Sequence, residues 1–182
     1  MTAPQLSVRE LQRQDIPFIA DYWLHADADY MKGMGVDLSK LPSRSEWEAM
    51  LTEQIHTPLP DKKSYCIIWE LDGRPIGHSN INKIVPGKEA YMHLHIWEPP
   101  VRRLGYGRRF IQLTIPYFFR GYNLQTLYCE PYALNEAPNR TLERAGFRFV
   151  KEYVTTPGWI NFEQPVRLYE MPRSVFEQLT QE

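Results

Sequence analysis

The chain has 182 residues, with 21 lysines and arginines against 22 aspartates and glutamates, a net charge of -1. That balance argues against a nucleic-acid partner, although Arg102, Arg103, Arg108 and Arg109 make a local basic patch. With 43% hydrophobic and 13% aromatic residues the chain is expected to fold, and no apolar run is long enough to span a bilayer.

The length fits one domain, 1–182. Met1 to Glu10 lacks the charged and apolar regions of a signal peptide, and Cys66 and Cys129 lie far apart. Both features fit a cytoplasmic protein with two reduced, buried thiols. Leu6 to Leu11 reads as a short strand. Asp15 then caps a helix with Phe18, Ile19, Tyr22 and Trp23 at helical spacing. Ala26 to Leu41 has no clear period and reads as a loop with room for a short helix; a loop of that length is a candidate functional segment, and Tyr30, Met31 and Met34 in it are candidate acceptor-pocket residues. Ser43-Arg44-Ser45-Glu46 is a capping box that starts a helix to about Ile55. A proline-bearing connection follows. Ser64 to Leu71, an Asp72-Gly73 turn and Pro75 to Ile84 then read as a hairpin.

Tyr91 to Gly107 carries the densest signal. Tyr91, His93 and His95 alternate with Met92, Leu94 and Ile96, so a strand here has one aliphatic face and one bearing a phenol and two imidazoles. Glu98-Pro99-Pro100 stops the strand, because proline has no N–H for a sheet ladder. Arg102-Arg103-Leu104-Gly105-Tyr106-Gly107 then opens a helical pattern. Strand, glycine-bearing turn and helix start aim free N–H groups at one point, an anion site.

Tyr106, Phe110, Leu113 and Tyr117 carry that helix to about Arg120, with Pro116 inside and Gly121 suited to the cap. Leu124 to Glu130 reads as a strand ended by Pro131. Asn135 can cap a short helix that stops at Gly146. Phe147 to Val154 and Val166 to Met171 read as two more strands. The Thr155 to Pro165 excursion between them holds Trp159 and Phe162, both expected to be exposed, and Ser174 starts a last helical turn. The whole is a mixed α/β (α+β) domain with a central mixed sheet of six or seven strands and helices on both faces.

Arg102-x-x-Gly105-x-Gly107 after a strand, joined by Asn135 through Gly146-Phe147 and the order of strands from Leu6 to Met171, resembles the GNAT superfamily of N-acetyltransferases. The Thr156-Pro157-Gly158 to Tyr169 ending is similar to the ribosomal-protein N-terminal acetyltransferase branch. His93 with Glu98-Pro99, and Glu130-Pro131 before Asn135, resemble the acyltransferases of hydroxylysine in siderophore synthesis, although Tyr132 stands where that family has aspartate. The resemblance implies an acetyl-CoA-dependent transfer to an amine of a small molecule or a protein N-terminus. It implies that backbone N–H groups from Arg103 to Arg108 hold the CoA pyrophosphate. It also implies that the backbone of Ile96 and Trp97 binds the pantetheine arm and thioester carbonyl, and that Asn135 contacts pantetheine. Two departures stand out. Leu142 occupies the place of a tyrosine that protonates the departing thiolate in many members, and Pro138 that of a serine in the N-terminal branch.

His93 falls on the catalytic histidine of the siderophore branch. At about 3.3 Å per residue it lies roughly 13 Å back from Trp97 along the strand, and His95 is two residues nearer. Distance thus favours His95, while the resemblance favours His93, which a relay through one ordered water would let act at longer range; His93 is the expected base, with His95 and Glu130 as alternatives. Tyr91 on the same face joins the candidate acceptor pocket, and Arg102 and Arg103 are candidates for steering CoA phosphates. His-x-His could also hold zinc, but no third ligand stands at motif spacing, so no metal is expected. The competing classes are a non-catalytic CoA-binding module and a zinc hydrolase. Expected partners are acetyl-CoA and the amine, with neither nucleic acid nor membrane, in a monomer or homodimer.

Overall fold

The computed structural model describes residues 3–181, so the extreme ends of the expected 1–182 span lie outside the described residues. The strands are β1 (Leu6–Glu10), β2 (Tyr65–Leu71), β3 (Arg74–Val85), β4 (Glu89–Ile96), β5 (Thr126–Cys129), β6 (Arg148–Thr155) and β7 (Gln164–Pro172). They form one seven-stranded sheet in the order β1-β2-β3-β4-β5-β7-β6, antiparallel except where β4 meets β5. The helices are α1 (Ile16–His25), α2 (Ala28–Gly33), α3 (Arg44–His56), α4 (Tyr106–Tyr122), α5 (Glu136–Arg144) and α6 (Arg173–Thr180). This is the mixed architecture expected, at the upper strand count.

Strand alternation divides the sheet into two interiors. On one face Trp69, Ile76, Ile81, Ala90 and Met92 pack against Phe110, Ile115, Phe118 and Phe119 of α4 and Phe176 of α6. Trp69 is fully buried there, stacked on Phe110 at 4.9 Å, with its indole N–H donating to Thr114 Oγ1 at 2.9 Å. That bond removes the one cost of burying an indole in an apolar core. On the other face Cys66 and Ile68 pack against α1, α2 and α3 through Ile19, Trp23, Met31, Trp47 and Leu51. Burial pushes the thiols of Cys66 and Cys129 well up, so both are inert neutral groups.

Local details refine the sequence expectations in four places. Helix α4 passes through Gly121 to Tyr122, and Asn123 at φ 50° takes the left-handed cap instead. Tyr122 is buried in the core, so packing outweighs the glycine signal. Asp15 stands at the N-cap of α1 without capping it by its side chain. Its carboxylate accepts from both Arg9 guanidinium nitrogens at 2.7 and 2.8 Å and from Gln12 N–H. The segment 26–41 contains α2, capped by Asp27. The last helical turn is a full eight-residue helix, α6.

Candidate active site

Strands β4 and β5 pair over only three positions, Glu89 with Thr126, Ala90 with Leu127 and Tyr91 with Tyr128. Beyond them β4 stays on β3 as far as Ile96, while β5 stays on β7 and ends at Cys129. The strands therefore part, earlier than the Glu98-Pro99 and Glu130-Pro131 stops alone require. The N–H of Trp97 bonds Ile76 O at 2.9 Å on the β3 side. Because backbone direction alternates along a strand, His93 and His95 turn their amides the same way, and Met92, Leu94 and Ile96 turn theirs into the gap. Of the two expected backbone contacts, Ile96 N–H faces the gap and Trp97 N–H is engaged within the sheet.

A cavity of about 630 Å³ runs through this gap. Met92, Leu94, Cys129, Asn135 and Pro138 line it toward the α4 and α5 side. His93, His95 and Glu130 line it with Trp23, Met34, Trp47, Met50 and Trp159 toward α1 and α3. Asn135 is the N-cap residue of α5 but makes no side-chain capping bond, which leaves its amide for a ligand. Leu142 is fully buried in the core and does not line the cavity.

The strand face holds three histidines, not two. His78 of β3 lies opposite His95 in the ladder, their rings 4.9 Å apart. Trp97 Nε1–H donates to His78 Nδ1 at 2.8 Å, so that nitrogen carries no hydrogen and the ring is neutral. His95 Nδ1 shares a 3.1 Å bond with the Tyr22 hydroxyl, and its ring is walled by Trp23 at 4.8 Å. His93 Nε2 lies 3.1 Å from Asn82 Oδ1. With that carbonyl oxygen as acceptor, His93 carries its hydrogen on Nε2 and a lone pair on Nδ1. Burial, assisted by the charge of Lys83, pushes His93 down to about 4; burial with His93 nearby pushes His78 down to about 3. Burial takes His95 well below its ordinary range, with His78, His93 and Arg102 adding to it. At neutral pH all three are uncharged.

Glu130 behaves oppositely. Its side chain is 5% exposed, accepts from the Tyr153 hydroxyl and lies 3.8 Å from Lys83 Nζ. Burial raises its carboxyl pKa, against the pull of Lys83 and Lys151. Lys83 also covers the Tyr91 ring at 4.6 Å, and Tyr91 stacks on Tyr128 at 5.2 Å at the last paired position of the two strands.

The turn after β4 is exposed at Arg103, Leu104 and Gly105. Arg103 at φ 68° and Gly105 at φ 85° both adopt the left-handed conformation. Such turns before a helix N-terminus make a concave array of N–H groups suited to an anion. Gly107 has a packing reason of its own, since a Cβ there would stand 3.1 Å from Thr141 Cγ2 of α5. Arg103, Arg108 and Arg109 point outward. Arg102 turns back into the protein: its Nε donates to Ile96 O at 2.9 Å and its Nη2 to Trp97 O at 3.0 Å, while the guanidinium covers the Tyr30 ring at 3.6 Å.

Of the candidate pocket residues, Met34 lines the cavity. Met31 is buried in the second core, Tyr30 lies under Arg102, and Tyr91 sits at the base of the gap. Sequence reading missed His78, Asn80 and Asn82, which line the cavity as the facing strand of β4. Their alternation, His78-x-Asn80-x-Asn82, repeats that of Tyr91-x-His93-x-His95 and was a usable signal. It also missed Trp23, Trp47 and Gln164, which come from segments with no shared pattern. Among the described residues, no three His, Cys, Asp or Glu side chains gather to hold a metal ion, and no helix is long and apolar enough to cross a membrane.

The model of the family described as "Acetyltransferase (GNAT) domain" matches residues 5–148. No curated protein sequence matches the chain. Among solved structures, a spermidine N-acetyltransferase from Vibrio cholerae, bound to CoA and spermine, superposes with a TM-score of 0.77 at 22% identity, over 95% of this chain and 98% of that one. A ribosomal-protein alpha-N-acetyltransferase in complex with coenzyme A gives 0.74 at 16% identity, over 92% and 93%. An aminoglycoside acetyltransferase bound to coenzyme A and kanamycin gives 0.72 at 15%, over 96% and 98%. At these identities the likeness is one of fold.

Proposed function

The chain belongs to the GNAT acetyltransferase family, and on that premise we propose that it transfers an acetyl group from acetyl-CoA to an amine by direct attack. The observation that carries this reading is the parted β4–β5 pair, whose cavity brings Met92 and Leu94, with amides turned into the gap, together with neutral imidazoles and one buried carboxylate; the left-handed turn that follows β4 is the proposed pyrophosphate site. The coenzyme A in the solved relatives supports the cofactor half of the assignment.

An ammonium has no lone pair, so it must lose a proton before its nitrogen reaches the thioester carbon. Glu130, the carboxylate in the cavity wall, draws the cationic amine. His93 takes the proton on Nδ1, the nitrogen that Asn82 leaves free by holding Nε2–H. His95, engaged with Tyr22 and enclosed by aromatic rings, orients the pocket. The amine nitrogen bonds the carbonyl carbon, and N–H groups of β4 turned into the gap stabilise the oxyanion. The C–S bond then breaks and CoA leaves as thiolate. With Leu142 in the core and Pro138 lacking a donor, water supplies the proton to sulfur.

The test is release of free thiol from acetyl-CoA across a library of amines, with acetyl-CoA binding measured separately by calorimetry. Amine-dependent thiol release is expected. Tight acetyl-CoA binding with no thiol release from any amine would favour the non-catalytic CoA-binding class instead.

A further inference from the structure

The acceptor end of the cavity is walled by three indoles. Trp23 and Trp47 are stacked, ring centres 5.5 Å apart and planes inclined by 9°, and Trp159 stands 5.9 Å from Trp47 at 44°. Trp47 and Trp159 are thus in tilted contact, and the wedge they form presents indole surface to the cavity. Trp159 is 57% exposed and lines the cavity beside Trp47. It is also held firmly. The loop that carries it is laced to the loop after α2. Gly35 O accepts from Asn161 Nδ2 at 2.9 Å, Gln164 Nε2 at 2.8 Å and Phe162 N–H at 3.3 Å, and Asp37 N–H donates to Ile160 O at 2.8 Å. A bridge between Val36 and Asn161 completes the seam.

Two further observations point to what the wedge holds. Trp47 is buried and lines the cavity, yet its Nε1–H has no partner among the described residues. Buried donors are rarely left so unless a ligand meets them. The charges are sparse. Glu130 is the one carboxylate buried in the wall, 3.8 Å from Lys83 Nζ, while Glu53 and Asp61 stand exposed at the rim. A chain with several ammonium groups needs carboxylates at matching intervals, and this pocket buries one. Indole faces and a single carboxylate suit one cationic nitrogen on a flat apolar body.

We propose, resting on the acetyltransferase reading, that the acceptor is a monoamine carried on an aromatic body, whose ring lies against the cavity side of the Trp47–Trp159 wedge while its amine reaches Glu130 and His93. The transfer balances simply: the amine N–H is replaced by an N–acetyl bond, the thioester C–S bond breaks, and one proton goes to solvent for each CoA released.

The experiment compares tyramine, spermidine and alaninamide as acceptors of acetyl-CoA, reading thiol release. Tyramine should exceed both others in kcat/KM by on the order of a hundredfold. Trp159→Ala, at an exposed position, should raise the KM for tyramine about tenfold or more, the loss of one aromatic face. Its kcat and its calorimetric affinity for acetyl-CoA should not move. Trp47→Phe, which keeps the stack on Trp23 and removes the N–H, should raise KM less. A preference for spermidine or alaninamide, or a tyramine KM unmoved in Trp159→Ala, overturns the proposal. Failure of the underlying reading looks different. If no amine releases thiol, quenching of tryptophan fluorescence by 2-phenylethylamine, present in wild type and weakened in Trp159→Ala, would keep the ligand class and lose only the transferase. Absence of quenching as well would remove both.

Discussion

The proposed cofactor site is the run of consecutive residues Arg102 to Gly107 after β4, and it would work through backbone N–H groups presented by left-handed φ angles. The acceptor end draws on Trp23, Trp47, His78, His93 and Trp159, from separated parts of the chain, and works through side chains. A backbone site depends on conformation, so a few glycines and a helix start announce it. A side-chain site depends on what the fold brings together, and its residues change without disturbing any local rule. The two ends can therefore vary independently, which is how one fold serves acceptors as different as a polyamine and an aminoglycoside.

The sharpest way to test that independence is Gly105→Asp. The position needs φ 85°, which a side chain resists, and the carboxylate would face an anion. Acetyl-CoA affinity should fall by a hundredfold or more in calorimetry. Quenching of tryptophan fluorescence by 2-phenylethylamine at the other end should not change. Loss of both would mean that the turn supports the acceptor pocket as well.

Next in size is the base. His93→Ala should lower kcat on the order of a hundredfold with acetyl-CoA affinity unchanged. The pH profile separates the candidates. His93, pushed down to about 4, loses its lone pair to a proton only in strong acid, so an acidic limb near that value belongs to it. Glu130 is raised by burial above the usual carboxylate range, and a limb at higher pH that vanishes in Glu130→Gln would transfer the role to the carboxylate.

A smaller effect concerns stability. His78, His93 and His95 are all lowered by burial in the fold, while each would titrate near 6.5 in the unfolded chain. Below that pH the unfolded state binds protons that the folded state refuses, so stability is full above about 6.5 and falls as pH drops toward 4. Each such histidine contributes a slope of about 1.4 kcal/mol per pH unit. Urea unfolding between pH 6.5 and 4.5 should show this, and His78→Gln should remove one histidine's share. A flat profile would mean that water in the cavity solvates the charged rings.

The same contrast explains what the sequence disclosed. Strand alternation, the capping box at Ser43, the Asp72-Gly73 turn and the glycine-bearing turn after β4 obey local rules, so the seven strands, the main helices and the left-handed turn before α4 were legible. His93 and His95 were legible as one face of a strand. Their partners Asn82 and Tyr22 were not, because those contacts are set by sheet register and by how α1 lies on it. Arg102 reads as a phosphate-steering residue by its motif. Only the fold reveals that Ile96 O, Trp97 O and the Tyr30 ring occupy its guanidinium. Trp159 stood out as exposed, but the wedge it makes with Trp47 joins residues that have strands β2 to β6 between them in the sequence.

The smallest predicted effect lies where the two ends touch. Tyr30 belongs to α2, on the acceptor side, yet its ring lies under Arg102, the first residue of the cofactor turn. Arg102 ties that turn to the end of β4 through Ile96 O and Trp97 O. The Tyr30 hydroxyl lies 3.3 Å from that of Tyr22, which in turn meets His95. One tyrosine thus offers its face to the cofactor end and its edge to the acceptor end, and two substitutions separate those contributions. Tyr30→Phe keeps the face and loses the hydroxyl; it should leave acetyl-CoA affinity unchanged and alter KM for the amine by less than about threefold, in line with the loss of one long hydrogen bond. Tyr30→Ala loses the face, a cation–π contact worth about 0.5–1 kcal/mol at a site open to solvent and more where it is dry. The freed guanidinium then holds the β4 end less tightly, and acetyl-CoA affinity should drop by about three- to fivefold. If Tyr30→Ala leaves that affinity where it was, Arg102 needs no support from α2 and the two ends are independent in full. If Tyr30→Phe weakens acetyl-CoA binding as much as Tyr30→Ala does, the coupling runs through the hydroxyl and Tyr22 toward His95, and the ring face is not the joint.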